Sequence, residues 1–120
     1  MQESRVILAN EPRLLRGMLR RAIARAPGLR VVGEAENLDE LSALLPETGA
    51  EWAIVSLWPE GLAPRALQVL LLDQPALSIL GMAADGSHAK IARLVTKEEA
   101  RDGLSLDELL AILRRRTHGP

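Results

Sequence analysis

Short apolar runs alternate with amphipathic segments along most of the chain, and this alternation restricts the fold more than any other feature. Arg5-Val6-Ile7-Leu8-Ala9 is nearly continuous in apolar character and stops at Asn10-Glu11-Pro12, the pattern of a strand buried on both faces and ended by turn residues. From Pro12 onward Leu14, Leu15, Met18, Leu19, Ala22 and Ile23 recur at three- and four-residue steps until Pro27-Gly28, which predicts an amphipathic helix. Val31 to Ala35 reads as a second strand, and Asn37 stands as the N-cap of a helix carrying Leu38, Leu41, Leu44 and Leu45 up to Pro46. Trp52 to Leu57 gives a third strand, Ala66 to Asp73 a third helix, and Leu77 to Leu80 a fourth strand.

The last third is less regular. Lys90 to Val95 is read as a fifth strand, with a helix over Ser87 to Ala100 as the alternative register, because periodicity cannot decide over so short a run. Ser105-Leu106-Asp107-Glu108 has the spacing of a capping box and opens a closing helix whose apolar stripe is Leu106, Leu109, Leu110 and Leu113. Strands alternating with helices imply a parallel sheet covered on both faces. At 120 residues, 48% of them hydrophobic, the chain fits a single domain, read here as residues 1–116 with 117–120 as a frayed or truncated tail.

Composition removes several functional classes. A net charge of -1 gives no global drive toward nucleic acid or an anionic membrane. The absence of cysteine removes disulfides, thiolate metal sites and thiol catalysis, and fits a reducing, cytoplasmic setting. No apolar stretch approaches the roughly 20 residues that span a bilayer, and the N-terminus does not read as a secretion signal. With two Trp and neither Phe nor Tyr, the chain lacks the aromatic platforms of a single-strand nucleic-acid binder.

Arg5 to Pro12, then Leu14-Leu15-Arg16-Gly17-Met18-Leu19, then Leu29-Arg30-Val31-Val32-Gly33-Glu34-Ala35, resembles the opening of response-regulator receiver domains. The likeness is to those placed N-terminal to LuxR-type helix-turn-helix transcriptional regulators, and Ser105 to Ile112 resembles the start of their last helix. The resemblance implies a flavodoxin-like (CheY-like), doubly wound α/β fold: five parallel strands in the order 2-1-3-4-5, with function at their carboxyl ends. Few residues lie between the fourth strand and Lys97, so the fourth helix is expected to be short or missing.

In that family acidic residues after the first strand hold magnesium, an aspartate ending the third strand accepts phosphate, a Ser or Thr ends the fourth, and a lysine ends the fifth. The resemblance places these roles on Asn10 and Glu11, on Ser56, on Gly81 or its neighbour Met82, and on Lys97. Only Glu11 and Lys97 survive in kind. A serine hydroxyl is protonated at neutral pH and needs a base to attack phosphorus, so Ser56 is not expected to accept a phosphoryl group. Glu11 with Asn10 and Ser56 makes a poor magnesium donor set, and neither metal nor cofactor is expected.

The expectation is therefore a degenerate receiver: no enzyme, but a cytoplasmic signalling module that works through a protein partner or self-association as a homodimer. It would meet DNA only through a downstream domain outside this sequence. A sensor that binds a small molecule in the altered pocket is the alternative. Trp58 lies beside that pocket as a partner contact if its indole is exposed. Arg13, Arg16 and Arg20 fall on one side of the first helix and would suit an acidic partner, although a solvated basic face is the commoner meaning of such a pattern. Arg114-Arg115-Arg116 suits the end of a helix by its dipole alone, His88 and His118 lack ligand company, and Asp85-Gly86-Ser87 reads as a turn.

Overall fold

The computed structural model describes residues 3–59, 61, 63–94 and 99–114, with the side chains of 99–102 left aside. The elements in chain order are β1 (Ser4–Ala9), α1 (Arg13–Ala24), β2 (Leu29–Glu34), α2 (Leu38–Thr48), β3 (Trp52–Ser56), α3 (Arg65–Asp73), β4 (Ser78–Met82), β5 (His88–Arg93), β6 (Glu99–Asp102) and α4 (Leu106–Arg114). The strands form one sheet in the order β2-β1-β3-β4-β5-β6. The first five positions are the expected 2-1-3-4-5 order of the CheY-like fold.

Alternation along each strand divides the core into two layers. Val6, Leu8, Trp52, Ile54 and Leu80 point to one face, where Leu19 and Ile23 of α1 and Leu109 and Leu113 of α4 cover them. Ile7, Ala53, Val55 and Ile79 point to the other, under Leu41 and Leu45 of α2 and Leu67, Leu70 and Leu71 of α3. Burial on both faces explains why these strands read as continuous apolar runs.

The far edge departs from the expected parallel arrangement. β1, β2, β3 and β4 are parallel, but β5 runs antiparallel to β4 with Gly81 opposite Lys90, and a sixth strand, β6, pairs antiparallel with β5. The reason is the connection. Ala83 to Ser87 joins β4 to β5, whereas a parallel crossover needs a dozen or more residues. The link closes as a turn instead. The Ala83 amide donates to the His88 carbonyl (2.9 Å), Asp85 accepts from the Ser87 amide (2.9 Å) and hydroxyl (2.6 Å), and Gly86 takes φ 77°. There is no helix between β4 and β5, in accord with the missing fourth helix. The strand itself begins and ends two residues before the expected 90–95, and the alternative helix over 87–100 is excluded by β5 and β6.

Helix ends follow local chemistry. The Asn37 side chain accepts from the Glu40 amide at 2.8 Å, and Gly49 closes α2 in the left-handed region with φ 67°. The expected stop at Pro46 does not occur, since α2 continues through it to Thr48. Ser105 and Glu108 form the capping box in full, each side chain accepting the other's amide at 3.1 Å.

Candidate functional site

The carboxyl ends of β1, β3 and β4 bring Asn10, Glu11, Ser56 and the β4 residues Gly81 and Met82 to one edge of the sheet. Asn10 is fully buried, and neither atom of its side-chain amide has a hydrogen-bond partner among the described residues. Glu11 is exposed, and its backbone amide donates to the Ser56 hydroxyl oxygen at 3.0 Å. Ser56 therefore holds the β1–α1 turn against the end of β3. It also lies opposite Met82 in the β3–β4 register, while Gly81 lies opposite Val55.

Gly81 is covered by the indole of Trp58. A methyl group built on Gly81 would lie 2.5 Å from Trp58 Cζ3 and 2.8 Å from Cε3, closer than packed carbons approach. The space beside Gly81 into which a side chain would project is therefore filled by an aromatic ring. Trp58 is only 5% exposed and packs with the α2–α3 layer, which corrects the expectation of an exposed anchor. Glycine at position 81 is what lets the ring sink. Its Nε1 is buried without a hydrogen-bond partner among the described residues.

Lys97 lies outside the described residues, so its match to the family lysine is not observed. The lysine seen beside the site is Lys90, brought there by the antiparallel β5. Its Nζ lies 5.9 Å from the centre of the Trp58 ring and 3.4 Å from the Pro59 carbonyl oxygen. Sequence reasoning took Lys90 as the first residue of a parallel strand and so missed this placement. The Asp85-Gly86 turn, read together with the short link, was the available signal.

Between β1, β3 and α3 lies a cleft of about 340 Å³ lined by Glu11, Glu36, Asn37, Ser56, Trp58 and Pro64 among others. Its charged rim is acidic. Glu36 is exposed, and its carboxyl is held below the ordinary range chiefly by the hydrogen bond from Arg13, with Arg16 adding to the effect. Three arginines of α1 expected as a partner surface are in fact engaged within the molecule. Arg13 pairs with Glu36 at 3.0 Å and Arg20 with Glu34 at 2.8 Å. Arg16 is buried, donating to the Ala35 carbonyl and to Glu36, each at 2.9 Å, and lying 3.6 Å from Glu34. The basic stripe of α1 thus clamps the helix to the end of β2, and Arg16 is no free docking group.

The donor set does not fit the magnesium ion that the fold family implies. Among the described residues no group of three His, Asp or Glu side chains stands close enough to hold a metal ion. Glu11 brings one carboxylate to this edge, the carboxylate of Glu36 in the same cleft is paired with Arg13 and Arg16, and the Ser56 oxygen is already an acceptor for Glu11. Magnesium demands near-octahedral oxygen ligation, usually with one or two carboxylates and substrate oxygens, which these side chains do not converge to give. Nor is Ser56 paired with a base. His88 opens β5 two strands away, roughly 10 Å across the sheet, beyond hydrogen-bond reach.

No family model matches the chain, and no curated protein sequence does. Solved structures do. A LuxR-family two-component response regulator from Aurantimonas sp. SI85-9A1 is 28% identical with a TM-score of 0.57, over 68% of this chain and 59% of that one. The isolated REC domain of RcsB from Salmonella enterica serovar Typhimurium is also 28% identical, TM-score 0.56, over 68% of this chain and 62% of its own. The match thus spans less than two thirds of either protein chain. The response regulator domain of Thermotoga maritima CheB aligns over 99% of this chain and 100% of its own with a TM-score of 0.66, and at 17% identity that likeness speaks for the fold. By strand order, two-layer core and likeness to these solved structures, the chain has the CheY-like fold of receiver domains.

Proposed function

We propose that this chain is an atypical response-regulator receiver domain, a pseudo-receiver that acts in signal transduction and transcription regulation by protein–protein interaction, independently of phosphorylation and without enzymatic activity. The receiver domains it resembles belong to response regulators, which supports the signalling role. One observation carries the finer reading: a serine, not a carboxylate, ends β3, and its hydroxyl is engaged by the Glu11 amide. The Trp58 ring over Gly81 supports it further, because the neighbouring position on β4 has no hydroxyl and no room for one. Phosphoryl transfer needs an ionised oxygen nucleophile and a cation beside the phosphoryl group, and this edge offers a poor version of both. The setting is cytoplasmic and any contact with DNA runs through a further domain; no helix among the described residues is long and apolar enough to cross a membrane.

The test is a two-dimensional amide NMR spectrum with and without acetyl phosphate and magnesium. The amide signals of Glu11, Ser56, Gly81 and Met82 stay in place on this reading. A set of shifts spreading from Ser56 into β4 and β5 would show a working phosphoryl switch and end it.

A small-molecule sensor is the second reading, favoured by the cleft beside Ser56, which Trp58 helps line. A thermal-shift screen separates the two: a compound that stabilises the native chain, and loses its effect in Trp58→Phe, supports the sensor.

A further inference from the structure

The antiparallel turn after β4 builds a recess on the face of the sheet opposite the cleft beside Ser56. The Gly103 amide donates to the Ser87 carbonyl at 3.0 Å and so ties the turn to the start of α4. Asp85 and Gly86 of the turn then line a groove of about 210 Å³ together with Met18 of α1 and Leu106 of α4. Leu19, Met82 and Leu109, each at most 3% exposed, form its floor, whereas Met18 and Leu106 at the rim are 53% and 52% exposed. The groove shares no lining residue with the cleft beside Ser56.

Apart from Ser105 and the carboxylate of Asp85, the side chains that line the groove are apolar, and no Lys, Arg or His is among them. Asp85 Oδ1 accepts from the Ser87 amide and hydroxyl, and Oδ2 has no partner among the described residues. The same bonds, the Ser87 hydroxyl foremost, hold this carboxyl below the ordinary range. Ser105 already accepts the Glu108 amide, so the start of α4 is capped and does not call for Asp85. The free oxygen is therefore available to a cation from outside. Size and lining define the rest of such a ligand. An apolar cavity of about 150 Å³ admits benzene, so this groove has room for one ring with a short chain. Two of the three methionines of the chain line it, and thioether sulfur makes favourable contacts with aromatic rings. Neither Trp52 nor Trp58 lines the groove, so a ring beside these sulfurs would come from a ligand.

We infer that this groove binds a small aromatic amine, its ring between Met18 and Met82 and its ammonium group at the free oxygen of Asp85. The site lies apart from Ser56 and does not depend on how that residue is read. Met82 links the two places. It stands opposite Ser56 in the β3–β4 register, and its carbonyl accepts from the Leu57 amide at 2.9 Å, so a ligand against Met82 acts on the end of β3.

A two-dimensional amide NMR titration of the full chain with 2-phenylethylamine tests the inference, beside 2-phenylethanol as a neutral counterpart and butylamine as a cation without a ring. The expected result is saturable shifts at the amides of Met18, Gly86 and Leu106. The amine should bind about five-fold tighter than the alcohol, the ratio that one exposed ammonium–carboxylate pair contributes, and butylamine should not saturate at the same concentrations. Asp85→Asn keeps an oxygen for Ser87 and should abolish the preference for the amine while leaving the affinity of the alcohol in place. Met18→Ala should weaken both aromatic probes and leave their ratio unchanged. Both substitutions fall on exposed side chains, so lost binding is separable from lost fold by the dispersion of the same spectra. Failure to saturate at these amides, equal affinity for amine and alcohol, equal affinity for butylamine, or a preference that survives Asp85→Asn overturns the inference. Saturation centred on Glu11 and Ser56 also overturns it, and moves the ligand to the cleft of the sensor reading.

Discussion

Trp58 and Gly81 form one packing unit, and their relation decides whether a hydroxyl can be restored at the end of β4. Gly81→Thr drives a branched side chain into the indole, and overpacking of that kind costs about 1–3 kcal/mol. Trp58→Ala leaves a cavity and costs about 3–5 kcal/mol. The double variant should lose clearly less than the sum, because the threonine occupies space the tryptophan has vacated. Urea unfolding of the four proteins measures this, and strict additivity would show that the ring does not control position 81. At the same scale, Glu36 links α1 to the β2–α2 connection through Arg13 and Arg16. Its carboxyl is depressed below the ordinary 4.5, foremost by the hydrogen bond from Arg13. A depressed acid stabilises the fold above its unfolded pKa and loses that contribution as pH falls through the folded one. The stability gap between wild type and Glu36→Gln is therefore full at neutral pH and closes as the solution is acidified below about 4.5, as urea midpoints along a pH series should record.

At the scale of elements, the last helix depends on a local device. Ser105→Ala removes the acceptor for the Glu108 amide and should cost about 1 kcal/mol, seen as a lower urea midpoint with an unchanged slope. That cap, like the Asn37 cap, was fully legible in the sequence because capping is chemistry between neighbours. So were the buried strands, whose apolar runs have a single economical explanation in a sheet covered on both sides. The direction of β5 was legible in principle and missed in practice. The residues 83–87 are too few for a crossover and contain Asp85-Gly86, yet the resemblance to a parallel fold set the expectation. Pro46 misled in the other way: a proline usually ends a helix, but Leu45 is buried in the α2–α3 layer and Gly49 provides the stop three residues on.

For the molecule as a whole, the sequence located the altered site better than it described the surroundings. Ser56, Glu11 and Asn10 lie together at the predicted sheet edge, whereas the burial of Trp58 and Arg16 depends on contacts between distant segments. No periodicity reveals that a glycine in β4 makes room for an indole after β3, or that arginines of α1 spend their charge on Glu34 and Glu36. The same tertiary context packs an indole against the carboxyl end of β4. The central claim is that this receiver fold does not take a phosphoryl group. Intact-protein mass spectrometry after incubation with acetyl phosphate and magnesium, beside a receiver that keeps its aspartate, measures it most directly. The account predicts that the companion gains one phosphoryl mass while this chain keeps its own. A phosphoryl adduct on the native chain, mapped to Ser56, would contradict it.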